Sequence, residues 1–305
     1  MGNSQREDPW GEFWANNARA GSNGEGGGCL PQRWASIENA QKGAWYGFVA
    51  GLPEKARLLD LATGDARVLN WIRSKRPDLA LTGIDLAPHL PDPPPGIRIY
   101  SGIAMEQLPF EDAQFEAVVS QFGFEYGNVG RITAEISRVL APNGKVALMT
   151  HRGDGPILEH NIQRRNQLVW ALREKAVARR VKTTLRGGSG AIERAAKIAG
   201  KIADQGARKF GQSSPAWEVA EAIRRSSQMG RTSGVDSIVE TIEMIEKQAR
   251  NELGRIKSLA GACKTADERE RIIEAFAGND LALQGTTEVC EPSGRPLADF
   301  TTFEA

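Results

Sequence analysis

Arg57-Leu58-Leu59-Asp60-Leu61-Ala62-Thr63-Gly64-Asp65-Ala66-Arg67 decides the fold. An apolar run of strand length carries an acidic residue and ends in a turn containing glycine; Val68, Leu69 and Ile72 then fall at helical spacing. A strand that turns sharply into a helix opens a βαβ unit. Four more runs of strand length lie outward from it: Leu81 to Leu86, Ile97 to Tyr100, Phe115 to Ser120 and Lys145 to Thr150. Before the last of these, Ile132, Ile136, Val139 and Leu140 repeat at helical spacing until Pro142-Asn143-Gly144 stops them. Strands alternating with helices make a parallel sheet covered on both faces. The expected fold class is α/β, with a doubly wound, mostly parallel sheet. One crossover departs from the rhythm. Pro88-His89-Leu90-Pro91-Asp92-Pro93-Pro94-Pro95-Gly96 cannot be helical, because proline lacks the amide donor and restricts its neighbour, so an extended loop is expected there.

Residues 1–35 read as a flexible arm with aromatic anchors at Trp10, Phe13, Trp14 and Trp34, and residues 36–155 as the core. Residues 156–280 read as a helical insertion: one long helix from Ile157 to Leu185, an Ala-rich helix to Arg208, another from Pro215, and a stripe through Ile238, Ile242, Ile245, Ala249, Leu253, Ile256 and Leu259. Within 281–305, Leu283 to Cys290, the turn Pro292-Ser293-Gly294-Arg295 and Leu297 to Phe303 form a hairpin pattern. That hairpin can complete the far edge of the sheet, for seven strands in all, and the long helices pack on each other as a lid or a dimer surface.

Composition bounds the function. The chain has 305 residues, 40% hydrophobic and 25% charged, within the range of globular proteins and outside that of disordered ones. The longest uncharged run, Gly43 to Pro53, is too short to span a membrane, and no secretory core follows Met1, so a cytoplasmic location is expected. Three cysteines and three histidines, all scattered, support neither a disulfide framework nor a metal site. Residues 162–210 hold 13 Lys or Arg against three acidic residues in a chain of net charge +1. This stretch is a solvated helical face, a surface for anionic lipid or an acidic substrate, or a nucleic-acid contact; its few aromatics, Trp170 and Phe210, weigh against the last.

In a doubly wound sheet, ligands bind beyond the carboxyl ends of the strands. Gly64 permits close backbone approach there, and Asp60 and Asp85 place carboxylates at two strand ends. Asp85 suits a ribose diol, although a turn glycine beside a capping aspartate is the plainer alternative. Neither G-x-G-x-x-G nor G-x-x-x-x-G-K-[ST] occurs, so a diphosphate cradle is not indicated.

Taken in order, Asp60-Leu-Ala-Thr-Gly64, Gly83-Ile-Asp85, Leu108-Pro109-Phe110-Glu-Asp-Ala-Gln-Phe115 and Arg138-Val-Leu-Ala-Pro142-Asn-Gly144 resemble the class I S-adenosylmethionine-dependent methyltransferases, most of all the branch of quinone and other small-molecule methyltransferases. The resemblance covers roughly residues 40–155 plus the terminal hairpin, and implies a Rossmann-like core and S-adenosylmethionine as cofactor. Asp60, Ala62 and Gly64 would receive the amino-acid end of the cofactor, Asp85 the ribose hydroxyls, and Leu86, Ala104 and Met105 the adenine. Gln121 and Phe122 would lie near the sulfonium and the substrate. Ala62 and Ala66 stand where the family usually has glycines, Ile103 where many members have an acidic residue, and the proline loop replaces a helix.

Methyl transfer at a sulfonium needs positioning, and a general base only where the acceptor must lose a proton. His151, after the fifth strand, is the candidate base, and Glu125 and Tyr126 are candidates for orienting an acceptor; each could equally be structural. The expected function is methyl transfer to a small or lipophilic acceptor. An RNA methyltransferase using the basic helices and a non-catalytic cofactor-binding protein are the rivals. Nucleic acid is the weaker partner, while an anionic membrane surface and a second copy through the insertion remain compatible.

Overall fold

The computed structural model describes residues 9–20, 35–229 and 234–305, so Trp34 and much of the 1–35 arm lie outside the described residues. Seven strands form one sheet: β1 (Arg57–Leu61), β2 (Ala80–Asp85), β3 (Ile97–Ser101), β4 (Phe115–Gln121), β5 (Leu140–His151), β6 (Ala282–Cys290) and β7 (Pro296–Glu304). Their order is β3-β2-β1-β4-β5-β7-β6. The first five run parallel, and β7 enters antiparallel between β5 and β6. The chain winds outward from β1 in both directions, so the crevice beyond the ends of β1 and β4 is the topological switch point.

The helices are α1 (Pro9–Ala20), α2 (Ala35–Ala50), α3 (Arg67–Lys75), α4 (Val129–Val139), α5 (Pro156–Val169), α6 (Val177–Leu185), α7 (Ala191–Phe210), α8 (Pro215–Met229), α9 (Val235–Asp267) and α10 (Arg269–Ala277). Alternation along β1 feeds two cores. Leu58 packs with Trp45 and Val49 of α2 and Leu69 and Ile72 of α3. Leu59 and Leu61 pack with Ile132, Ile136 and Val139 of α4 and Phe276 of α10. The motifs Leu108-Pro109-Phe110 and Arg138-Val-Leu meet for a structural reason. The Arg138 guanidinium donates to the carbonyls of Leu108 (3.0 Å) and Phe110 (2.7 Å) and pairs with Glu135 and Asp112. The proline segment forms no helix, as its composition dictates.

Two expectations change. The aromatic arm contains a helix, because Trp10, Phe13 and Trp14 share one face and Pro9 sits in the first turn, where its missing N–H is no loss. The single helix expected from Ile157 to Leu185 is broken. A π-helical turn over Trp170–Glu174 is closed by the Lys175 N–H on the Trp170 carbonyl, and Ala176 is left-handed at φ 47° before α6 begins.

The described chain forms two compact units. One is Trp10–Leu158 with Ser258–Ala305 and carries the whole sheet; the other contains Glu159–Lys257, so the boundaries fall inside α5 and α9. The helical unit has its own core, with Val181, Ala199, Ile202, Ala220, Ile223 and Ile242 among its residues. Its α7 and α8 touch closely at Gly206, where a Cβ would stand 3.2 Å from the Trp217 backbone nitrogen. Most of its cations (Arg173, Arg179, Arg180, Arg186, Lys197, Lys201, Arg208 and Lys209) face solvent. No helix among the described residues is long and apolar enough to cross a membrane.

Candidate active site

The turn after β1 is held by β2. The Thr63 N–H donates to the Ile84 carbonyl (2.8 Å), the Thr63 hydroxyl to Asp60 Oδ2 (2.7 Å), and the Gly64 N–H to Asp85 Oδ2 (2.9 Å). Thr63 fits only because Gly83 of β2 has no side chain; a Cβ there would stand 2.7 Å from its methyl and hydroxyl. Ala62, Gly64 and Ala66 are all left-handed, at φ 57°, 54° and 58°. The two alanines therefore take the conformation that glycine adopts without penalty.

Asp60 and Asp85 are both buried. Burial pushes the Asp60 carboxyl up to about 7; the charges of Asp85 and Asp65 push the same way, and the Thr63 hydroxyl opposes them. Asp85 accepts the Ala87 N–H on its second oxygen (2.9 Å), so its carboxylate ties the β1 turn to the start of the proline loop. Leu86 beside it is 65% exposed. Ala104 and Met105 lie in the loop after β3, half-buried, and the Ile103 N–H anchors that loop to the Asp85 carbonyl (2.9 Å).

The ends of β4 and β5 form the other half of the rim. Gln121 turns toward α2, where its Oε1 accepts the Trp45 indole N–H (2.6 Å). Phe122 is left-handed at φ 55° and its ring lies 4.3 Å from that of His151. At Gly123 the backbone passes so close to Ala62 that a Cβ would collide with the Ala62 methyl. Glu125 is 1% exposed. Its Oε1 accepts the His151 backbone N–H (2.9 Å) and lies 2.7 Å from His151 Nδ1, while Oε2 is buried with no hydrogen-bond partner among the described residues. The Tyr126 ring stands edge-on to the same imidazole at 5.9 Å. The three candidate catalytic residues thus converge.

Two further groups stand near these residues. The Cys263 thiol of α9 is pushed up to about 12 by burial, with the charge of Glu125 next in size, so it stays protonated. The aromatic face of α1 lies on the rim. Trp10 stands edge-on to Tyr126 at 5.8 Å, and a Cβ on Gly64 would collide with Cζ2 of Trp14 and stand 2.8 Å from its Cη2. The i, i+3, i+4 spacing of Trp10, Phe13 and Trp14 is the signal for that helical face; nothing in it points to Gly64. Asp154, three residues after His151, is paired with Arg152 at 2.9 Å.

These residues fit an adenosyl sulfonium in kind. Gly64 offers backbone with no side chain in the way, buried carboxylates suit a cationic ligand, and exposed Leu86 offers an apolar surface beside Asp85. The bare face of Gly64 is the one against which Trp14 packs.

Residues 59–148 match the family model of the methyltransferase domain. The chain is 32% identical over 102 residues to demethylmenaquinone methyltransferase of Deinococcus radiodurans, covering 30% of this chain and 42% of that protein. It is 33% identical over 107 residues to the Thermus thermophilus enzyme of the same name (32% and 48% covered). It is 34% identical over 111 residues to the ubiquinone/menaquinone biosynthesis C-methyltransferase UbiE of Citrifermentans bemidjiense (32% and 47% covered). The chain spans under half the length of each of these curated relatives. The stretch from Leu59 in β1 to Leu148 in β5 is thus similar to methyltransferase domains.

Proposed function

We propose that this chain methylates a small, lipophilic, hydroxyl-bearing acceptor, with His151 as the base that takes the acceptor's proton. The observation that carries this reading is the buried Glu125–His151 pair at the carboxyl ends of β4 and β5. A carboxylate accepting from Nδ1–H fixes the imidazole tautomer and leaves Nε2 as the proton acceptor. Nε2 has no hydrogen-bond partner among the described residues, so it remains available to an acceptor hydroxyl. The rings of Phe122 and Tyr126 beside His151 give a planar apolar acceptor surfaces to stack on, in keeping with the quinone methyltransferases named among the relatives.

S-adenosylmethionine, which Asp60, Gly64, Asp85 and Leu86 would hold, would supply the electrophilic methyl group and leave as S-adenosylhomocysteine. The residues of the chain do the rest. The β1 turn and Asp85 fix the donor's position, and the aromatic rings exclude water and align the acceptor. His151 takes the acceptor's hydroxyl proton and returns it to solvent. Because the imidazole is anchored through both its backbone N–H and Nδ1 by one buried carboxylate, little reorganisation accompanies that transfer.

The test is labelled-methyl transfer to a panel of hydroxylated aromatic acceptors by wild type and His151→Ala. The expected result is a loss of ~10²–10⁴-fold in kcat, with S-adenosylhomocysteine affinity unchanged. Full activity in the variant would remove His151 from the chemistry.

A further inference from the structure

The rim carries an element that competes for the ligand's place. The helix α1 crosses the carboxyl ends of the sheet. Trp10 is anchored edge-on to Tyr126 after β4, and Trp14 packs on Gly64 after β1. On its far side Ala15, Ala18 and Arg19 line a cavity of about 520 Å³ together with Pro88–Pro93 of the proline loop and Ile99 and Ser101 of β3. Phe13 links the two indoles, at 5.7 Å from Trp10 and 5.0 Å from Trp14, so the three rings form one rigid aromatic face. Only a glycine admits that face: the six-membered ring of Trp14 lies where any side chain at position 64 would be.

We infer that α1 is an internal plug, in which the Trp14 indole holds the place on Gly64 that the amino-acid end of the cofactor takes when it binds. This rests on the reading of the β1 turn as the cofactor's seat. Two groups cannot share the one bare face of Gly64, so cofactor binding displaces Trp14. Trp14 meets Gly64 as ring against backbone and Trp10 meets Tyr126 ring edge to ring, contacts that suit a reversible closure. The cavity beside the proline loop leaves room on the side of α1 away from Tyr126 for the helix to tilt. A ligand that binds only the open form has its apparent affinity reduced by the fraction of the chain that is open. The arm therefore sets the cofactor concentration at which the enzyme begins to work, and shields the polar turn until then.

The experiment is calorimetric titration of the full chain with S-adenosylhomocysteine in wild type, Trp14→Ala and Trp10→Ala, with melting curves to establish that each is folded. Trp10→Ala removes the anchor on Tyr126 without touching Gly64. The expected result is tighter binding in both variants, by ~10-fold if the closed form makes up about nine-tenths of the wild-type chain. In wild type the ligand should also produce a tryptophan fluorescence shift that Trp14→Phe abolishes. Unchanged or weaker binding in folded Trp14→Ala, with wild type binding normally, makes Trp14 a wall of the site and overturns the plug alone. No binding by any of the three overturns the cofactor assignment, and the plug with it.

Discussion

At the β1–β2 half of the rim the Asp85 carboxylate accepts two backbone amides, those of Gly64 and Ala87. At the β4–β5 half the Glu125 carboxylate commits one oxygen to His151 and leaves the other buried without a hydrogen-bond partner. Both are buried acidic residues at the carboxyl ends of the strands. A carboxylate answered by backbone fixes where loops go, which is what a cofactor seat needs. One answered by an imidazole orients that ring instead, which is what proton transfer needs. The residue type alone does not distinguish the two roles; the partner does.

The sharpest test of the cofactor half is Asp60. Its carboxyl is raised to about 7 from an ordinary value near 3.8. Below the unfolded value both states are protonated and there is no penalty. As pH rises toward 7 the unfolded carboxyl ionises while the folded one stays neutral, so stability is lost through that window and is level above it. A shift of roughly three units corresponds to about 4 kcal/mol. Asp60→Asn should therefore raise stability at pH 8, by up to that amount, and by much less at pH 4.5, as measured by chemical denaturation at the two values. It should also weaken binding of a cationic ligand, for which the penalty is a reserve of attraction. A pH-independent difference would show that burial of this charge is not what strains the turn.

Asp85→Ala comes next in size. Removing an acceptor of two charge-assisted bonds leaves the amides of Gly64 and Ala87 without it, at a cost of about 2–3 kcal/mol. The expected outcome is a lower melting temperature together with loss of S-adenosylhomocysteine binding, whereas His151→Ala should leave S-adenosylhomocysteine binding unchanged. A variant at position 85 that melts normally yet fails to bind would make Asp85 a pure ligand contact and erase the contrast between the two carboxylates.

Much of this was legible in the sequence because it is local. The strand runs, the helix-free proline loop and the terminal hairpin all follow from periodicity and backbone restriction over a few residues, whereas α4 ends at Val139, ahead of the stop expected at Pro142-Asn143-Gly144, which lies within β5. Asp60, Asp85, Glu125, Tyr126 and His151 could be named singly, since strand ends are where ligands bind. What could not be read is distance. The bond between Glu125 and His151 joins the ends of two strands, and Trp14 reaches Gly64 from fifty positions away; neither leaves a mark in residue spacing. The break at Trp170 was hidden because Ala176 is an ordinary helix former, and nothing in its residue type signals the left-handed conformation it takes.

The smallest effect tests whether the turn is strained by its own sequence. Ala62 and Ala66 share a left-handed backbone that costs a non-glycine residue about 1 kcal/mol, so glycine at either site relieves the same strain. Their methyl groups differ. That of Ala66 is fully buried in the core with Leu69 and Ile72, and its removal forfeits roughly 0.8 kcal/mol. That of Ala62 is half-exposed beside Gly123, so less is lost. Urea unfolding should therefore find Ala62→Gly more stable than wild type by about 0.5–1 kcal/mol and Ala66→Gly nearly neutral. Equal gains at both positions would mean that the buried methyl contributes nothing to the core. A loss at Ala62 would mean that its contact with Gly123, where the β1 and β4 ends meet, outweighs the backbone strain and locks the two halves of the rim together.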